Sequence, residues 1–439
     1  MSTLTVHHVL RDLFRRIPSY AAPTAEPEER LNRPRQYAAG ASWNVQTVET
    51  YSFEEHKKCD PARVWKLQIP CVQPSDYEPY SVDFTHFIDG TQRTSRVCEI
   101  PWQAEGSSTV PVLVAQIACI VLERVGRQLR LCPDISRSKT LVEMPIRFLS
   151  RNATKAISQA VAELPTHSSF EWVDTSYDTR QSDDENGAVL RHPDLRGCYE
   201  AIPDSEFKQA LVDPNWLCNQ SRKWTAKHRD ALEQRVFEQL AQDYGKVSTD
   251  GVHLKFFIRD GTLTSVRGKF VKSAVGLSKS FNTRFLDPHL QTRVLHLPPY
   301  HRTPVFKFER DARGTEPDEL ESEEEPKTKS PQKHTVLSWY VRIRKPNLSV
   351  PYWGLLRVEI HPSLLPSKGS ADRWAEDDSR MVSAISAAVV KEANPTSQPD
   401  PRWHNLLYPI RLCEAFARSK MIPHDTVKYL FMSGGKSYD

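Results

Sequence analysis

Apolar and polar positions along the chain fall mostly into strand-like runs, separated by long polar stretches and a few helical periods. Residues 80–90 alternate well enough for a strand and end in Asp89-Gly90, a pair that signals a turn. Residues 93–101 read as a second strand, and 109–122, rich in Val and Ile, as a third that Pro111 enters. Three such strands joined by short turns predict an antiparallel meander. Residues 138–164 read as helical, broken at Pro145. A helix is predicted over 223–244, where Leu232, Val236, Phe237 and Leu240 repeat at spacings of three and four. It leads into a strand over 252–260 that again ends in Asp-Gly, at Asp260-Gly261, and then a short strand over 266–272. Residues 335–343 and 355–360 read as paired strands, and 408–420 as a helix opened near Pro409.

The remaining stretches lack this regularity. Val9, Leu10, Leu13, Phe14 and Ile17 predict a short amphipathic helix at the start, followed by a Pro- and Glu-rich loop over 21–45. Residues 174–190 are polar, and 311–334 are acidic and then Lys- and Pro-rich, so both are expected to be loosely held. No internal repeat is visible. At 439 residues the chain exceeds the usual size of one domain. The expected organisation is an extension over 1–75, a main domain over 76–430 and a tail over 431–439. The main domain is expected to carry an insertion at about 124–220 and the acidic loop 311–334.

Composition narrows the function classes. Hydrophobic residues at 39% and charged residues at 26% suit a globular protein with long polar loops. The apolar run 112–122 is too short to span a bilayer, and no secretion signal opens the chain, so a cytoplasmic protein without a membrane partner is expected. Eight cysteines without a C-x-x-C pair argue against a zinc ribbon and suit buried free thiols. The net charge of +4 hides an acidic cluster over 316–325, outside which the chain is clearly basic, so a nucleic-acid partner is permitted. No complete phosphate-binding loop is present, because Leu430 stands where Gly435-Lys436-Ser437 would need the first Gly, and ATP hydrolysis by this chain is not expected. No G-x-S-x-G elbow or H-E-x-x-H pair occurs.

The chemistry centres on the two strands that end alike, Phe87-Ile88-Asp89-Gly90 and Ile258-Arg259-Asp260-Gly261. If they are neighbours in one sheet, their carboxylates lie side by side, since adjacent strands are roughly 5 Å apart. Two carboxylates so placed repel unless a cation intervenes or one is protonated. Oxygen-rich sites of this kind suit Mg2+ or Mn2+, and a metal pair about 4 Å apart can cleave a phosphodiester. The plainer alternative is that Asp-Gly opens a turn twice. The order of elements favours the first reading. A strand with Asp-Gly, two more strands, a helix with acidic residues and a further strand with Asp-Gly is the order an RNase H-like core needs, an α/β mixed sheet flanked by helices with inserted segments.

These motifs resemble the NurA family of DNA end-processing nucleases. Ile88-Asp89-Gly90-Thr91 resembles its opening I-D-G-S motif, and Arg259-Asp260-Gly261-Thr262-Leu263 its later strand ending in D-G. Gly268 to Lys272 resembles a short element bearing Gly and Lys, and Tyr408-Pro409-Ile410-Arg411-Leu412-Cys413-Glu414 its closing Y-P-x-x-L helix. The resemblance implies a two-metal deoxyribonuclease, usually preferring Mn2+ over Mg2+, with Asp89 and Asp260 as metal ligands. It places a third ligand on the preceding helix, where Glu233 fits best and Glu238 is the alternative. It makes Glu414 a fourth catalytic residue and Lys272 a DNA phosphate contact; His404 and Asn405 are possible neighbours. It also implies a homodimer that works on DNA, in repair or related processing, with a hexameric ATPase of the HerA/FtsK type. The competing class is a catalytically silent RNase H-like subunit that binds nucleic acid or a partner. The four carboxylates at the family's positions weigh against it. An Argonaute-like guided nuclease would need further domains for which the chain is too short.

Overall fold

A computed structural model describes residues 44–47, 79–101, 109–145, 170–175, 214–244, 252–263, 273–279, 288–310, 334–345, 352–370, 373–393 and 406–434. Its strands are β1 (Asn44–Thr47), β2 (Ser81–Pro101), β3 (Thr109–Val125), β4 (Gln128–Leu131), β5 (Arg137–Met144), β6 (Phe170–Asp174), β7 (His253–Asp260), β8 (Ala274–Ser278), β9 (Phe306–Arg310), β10 (His334–Arg342) and β11 (Leu355–Ile360). The helices are α1 (Pro214–Tyr244), α2 (Pro288–Leu295), α3 (Glu376–Lys391), α4 (Tyr408–Ser419) and α5 (His424–Gly434).

All eleven strands join one mixed sheet in the order β1-β9-β10-β11-β8-β7-β2-β3-β5-β6, with β4 paired to β3. Strand β3 runs antiparallel to both β2 and β5, and β6 lies parallel to β5. Strand β7 lies parallel to β2, and β8 parallel to β7. The chain therefore returns to the other side of β2 only after α1, as a parallel connection requires.

Period-two alternation splits the sheet into two apolar faces. Phe87, Ile120, Ile258 and Val358 pack on one face with Val382 and Ile385 of α3 and Ile410 and Cys413 of α4. Ile88, Val121, Phe257 and Leu141 pack on the other with Trp224, Val236, Phe237 and Leu240 of α1. Each of these clusters is far larger than one helix–strand contact, and burial at about 25 cal/mol per Å2 makes such surfaces the main driving force for the layers to stay stacked. No helix among the described residues is long and apolar enough to cross a membrane, a statement that does not extend to β-barrels. The five described cysteines, Cys98, Cys119, Cys132, Cys218 and Cys413, are buried free thiols, as expected.

Two sequence expectations are corrected and one is extended. The strands read over 80–90 and 93–101 are one strand, β2, because Gly90 stays in ladder register opposite Cys119 and no turn intervenes. The helix read over 138–164 begins as strand β5; the run Leu141 to Met144 is wholly buried between β3 and β6, so it shows no period of two, and the rest lies outside the described residues. The strand read over 266–272 lies outside the described residues, and β8 lies parallel to β7. The helix read from 223 starts earlier, at Pro214.

The other expectations fare differently. β7, the antiparallel pair β10–β11 and α4 lie where the pattern put them. Within the stretch read as an insertion, β4, β5 and β6 extend the main sheet. The start of the expected tail belongs to α5. The amphipathic segment over 1–20, residues 176–190 of the expected loop and residues 311–333 lie outside the described residues, whereas Asp174 closes β6 and His334 opens β10.

Candidate functional site

Parallel pairing of β2 with β7 sets Phe87 against Ile258 and Ile88 against Arg259, so Asp89 and Asp260 follow side by side. Both continue the face whose preceding residues, Phe87 and Ile258, pack toward α3 and α4. Asp89 is buried and Asp260 half-buried. Strand β7 ends there because Gly261 takes φ +113°, a conformation open to glycine and strained for other residues.

Three further charged groups converge on this pair. Lys279, one residue past β8, places Nζ 2.8 Å from Oδ2 of Asp260. Glu414 stands on the first turns of α4, which the Cys413 thiol ties to β2 by donating to the Phe87 carbonyl at 3.4 Å. Its carboxylate pairs with Arg418 at 2.6 Å. Burial raises the Asp89 pKa well above the usual carboxylate range; Asp260 adds to the rise, Lys279 opposes it, and Glu414 and Glu233 contribute further. Burial lowers the Lys279 pKa, but Asp260 and Asp89 outweigh it and the net shift is upward.

Glu233 reaches the same neighbourhood from the opposite face. Its carboxylate lies over Gly90, where any Cβ would overlap it. Arg229 Nε lies 3.1 Å from one carboxylate oxygen and Arg259 Nη2 2.9 Å from the other, with all three side chains buried. Gly90 is therefore a close-approach glycine beneath a helix carboxylate, and the turn expected there does not exist.

Of the four carboxylates singled out first, Asp260, Glu414 and Glu233 thus each act electrostatically on Asp89. Glu238 does not join them: it is half-buried and accepts a hydrogen bond from Gln234 at 2.6 Å. Lys272, His404 and Asn405 lie outside the described residues. Sequence reasoning missed Lys279 and the pairing of Glu233 with two arginines. The signal for Lys279 was the apolar run Ala274 to Leu277 ending in Ser278-Lys279, another short strand closed by a charge. The signal for Arg259 was its place in an apolar strand one residue before Asp260, which alternation turns to the other face.

No family model matches the chain, and no curated protein matches it. The chemistry of the site therefore rests on its own donors. Around the site the four carboxylates meet four cationic side chains, with Arg229 and Arg259 on Glu233, Lys279 on Asp260 and Arg418 on Glu414. The all-oxygen donors of Asp89, Asp260 and Glu414 are of the kind a hard divalent cation takes. Among the described residues no third carboxylate joins Asp89 and Asp260 in a group whose ligand atoms all lie within 4.8 Å of one another, so a shared ion requires the side chains to draw together.

Proposed function

We propose that the protein is a metal-dependent DNA nuclease with an RNase H-like core. The observation that carries this reading is the adjacency of Asp89 and Asp260 on the neighbouring parallel strands β2 and β7. Support for the core comes from the strand order β5-β3-β2-β7-β8, antiparallel among the first three and parallel across the last two junctions, with α1 falling between β5 and β7 in sequence.

In this reading Asp89 and Asp260 hold Mn2+ or Mg2+, and Glu414 adds a carboxylate from α4. The ion supplies a Lewis acid that lowers the pKa of water and stabilises the leaving oxygen of a phosphodiester. Lys279 holds Asp260 in place and would offer its ammonium to a phosphate at the site. Glu233, fixed by Arg229 and Arg259, orients the strand beneath Asp89 through Gly90 and contributes negative potential. Action on DNA ends as a homodimer, with a hexameric translocase of the HerA/FtsK type, follows from the NurA resemblance alone.

A second reading has its own support. Lys279 on Asp260 and the two arginines on Glu233 supply cations where a metal would sit, as in a silent subunit that binds nucleic acid or a partner. End-labelled linear DNA, single- and double-stranded, incubated with the protein in Mn2+, Mg2+ or EDTA separates the two. Cleavage that needs the metal supports the nuclease. Inactivity that persists after a hexameric translocase is added supports the silent subunit.

A further inference from the structure

On the α1 face of the sheet, three residues before Asp89, lies a second cluster with a different donor set. One ring nitrogen of His86, one carboxylate oxygen of Glu123 and the Cys132 sulfur all lie within 4.8 Å of one another. Their backbones are fixed independently. His86 and Glu123 are direct cross-strand partners of β2 and β3. Cys132 follows β4, which folds back on β3 through a two-residue turn pairing Val125 with Gln128. The turn after it is pinned: the Cys132 amide donates to the Val121 carbonyl at 3.0 Å, and the Ser136 amide to the Cys132 carbonyl at 2.9 Å. The Val121 amide in turn donates to Ser136 Oγ at 3.0 Å.

The imidazole is set up as a ligand. Its Nδ1 lies 3.0 Å from the Thr85 hydroxyl, the kind of contact that orients a metal-binding histidine and fixes its tautomer. Among the described residues its buried Nε2 has no hydrogen-bond partner, and His86 as a whole is only 3% exposed. A buried nitrogen left without a partner is costly, and a cation bound there would remove that cost. The Tyr244 ring closes over His86 with centroids 4.5 Å apart, bringing the negative C-terminal end of α1 to the cluster.

We propose that His86, Glu123 and Cys132 form a metal site for one Zn2+-class ion, separate from the Asp89–Asp260 pair and independent of the nuclease reading. Nitrogen, sulfur and oxygen donors together are the borderline set that Zn2+ prefers, whereas Mg2+ and Mn2+ favour oxygen alone. Tetrahedral coordination at about 2.0–2.3 Å puts ligand atoms roughly 3.3–3.8 Å apart, within reach of small side-chain rotations. Coordination exchanges the thiol proton for the metal: the Cys132 S–H proton leaves to solvent, His86 enters neutral and Glu123 enters as the carboxylate. The two anionic ligands then neutralise the dication, which suits a site whose histidine and cysteine are buried. Three protein ligands leave a fourth position for water, on the side of the half-exposed Glu123.

Cobalt titration of the metal-stripped full chain tests this. Bound thiolate gives Co2+ a near-ultraviolet charge-transfer absorption, and Cys132→Ser tells the Cys132 thiolate from Cys119 and Cys413, which lie near Asp89. The expected result is one such Co2+ per chain, displaced by Zn2+, absent in Cys132→Ser and unchanged in Asp89→Asn. Glu123→Gln, a change at a half-exposed side chain, is expected to weaken Co2+ binding by at least about tenfold. No band in the parent protein, or a band that survives in Cys132→Ser, overturns the proposal. If Cys132→Ser is unfolded by circular dichroism, unchanged affinity in folded Glu123→Gln overturns it instead. Loss of DNA cleavage alone would leave the cobalt result untouched, so this site and the nuclease reading fail separately.

Discussion

The carboxylate of Glu233 occupies the space that a side chain at Gly90 would need, and two buried arginines hold it there. Gly90→Ala must therefore displace Glu233 and strain both ion pairs, or bend β2 next to Asp89. A loss of about 1–3 kcal/mol is expected, the usual cost of overpacking. In chemical denaturation the Gly90→Ala/Glu233→Ala double variant should lose less than the two single losses combined, since the clash disappears with the carboxylate. Strict additivity would mean that the two residues do not touch.

Lys279→Ala removes the cation beside Asp260 and leaves that carboxylate next to Asp89 uncompensated. A destabilisation of about 1–3 kcal/mol near neutral pH is expected, reduced from the fully buried case because both side chains retain some exposure. Adding Asp260→Asn should recover much of it. Thermal melts of the three variants check this, and no recovery in the double variant would contradict the pairing.

Glu143 gives the opposite face a pH signature. Burial pushes its pKa up to about 8 from 4.5, against a hydrogen bond from Thr225. Protonated, it also resolves a conflict, since the single Thr225 proton is in reach of both Glu143 at 2.6 Å and the Ser221 carbonyl at 3.0 Å. The folded state keeps the proton between 4.5 and about 8 while the unfolded state releases it, so this contribution to stability is present below 4.5 and lost as pH rises through about 8. Glu143→Gln should remove the slope, worth on the order of a few kcal/mol. Urea unfolding of parent and variant on either side of the window measures it.

His228 works with the opposite sign. Burial is the main cause that lowers its pKa from 6.5 to about 4, and among the described residues its buried Nε2 has no hydrogen-bond partner. The unfolded chain takes up a proton at 6.5 and the folded chain only near 4, so stability is lost as pH falls from 6.5 to about 4. His228→Phe, which keeps a ring beside Trp224, should flatten that acid limb in melts recorded across the window. An unchanged limb would assign acid sensitivity to other groups.

The legible parts of this fold were those with an unbroken local period or a charged end. The 3–4 spacing of Leu232, Val236, Phe237 and Leu240 found α1, and the two Asp-Gly ends pointed to the adjacent strands β2 and β7 before any register was known. Where burial erases the period, the reading failed. Leu141 to Met144 sits between two strands with both faces covered, so its apolar run looked helical. Gly90 looked like a turn residue because its function, room for Glu233, depends on a helix more than a hundred positions away. The charges around Asp89 were partly legible: the carboxylates stood at motif positions, but Lys279 reaches Asp260 only through the parallel pairing of β7 with β8. The His86–Glu123–Cys132 cluster left no spacing signal at all, since its members meet through cross-strand register and a hairpin.

The central claim is that Asp89 and Asp260 together hold a catalytic cation, and the most direct measurement is cleavage of end-labelled linear DNA by the parent, Asp89→Asn and Asp260→Asn in Mn2+. The account predicts cleavage by the parent that EDTA abolishes, and a loss of at least about a hundredfold in each variant that folds. Cleavage that continues undiminished in either folded variant would contradict it.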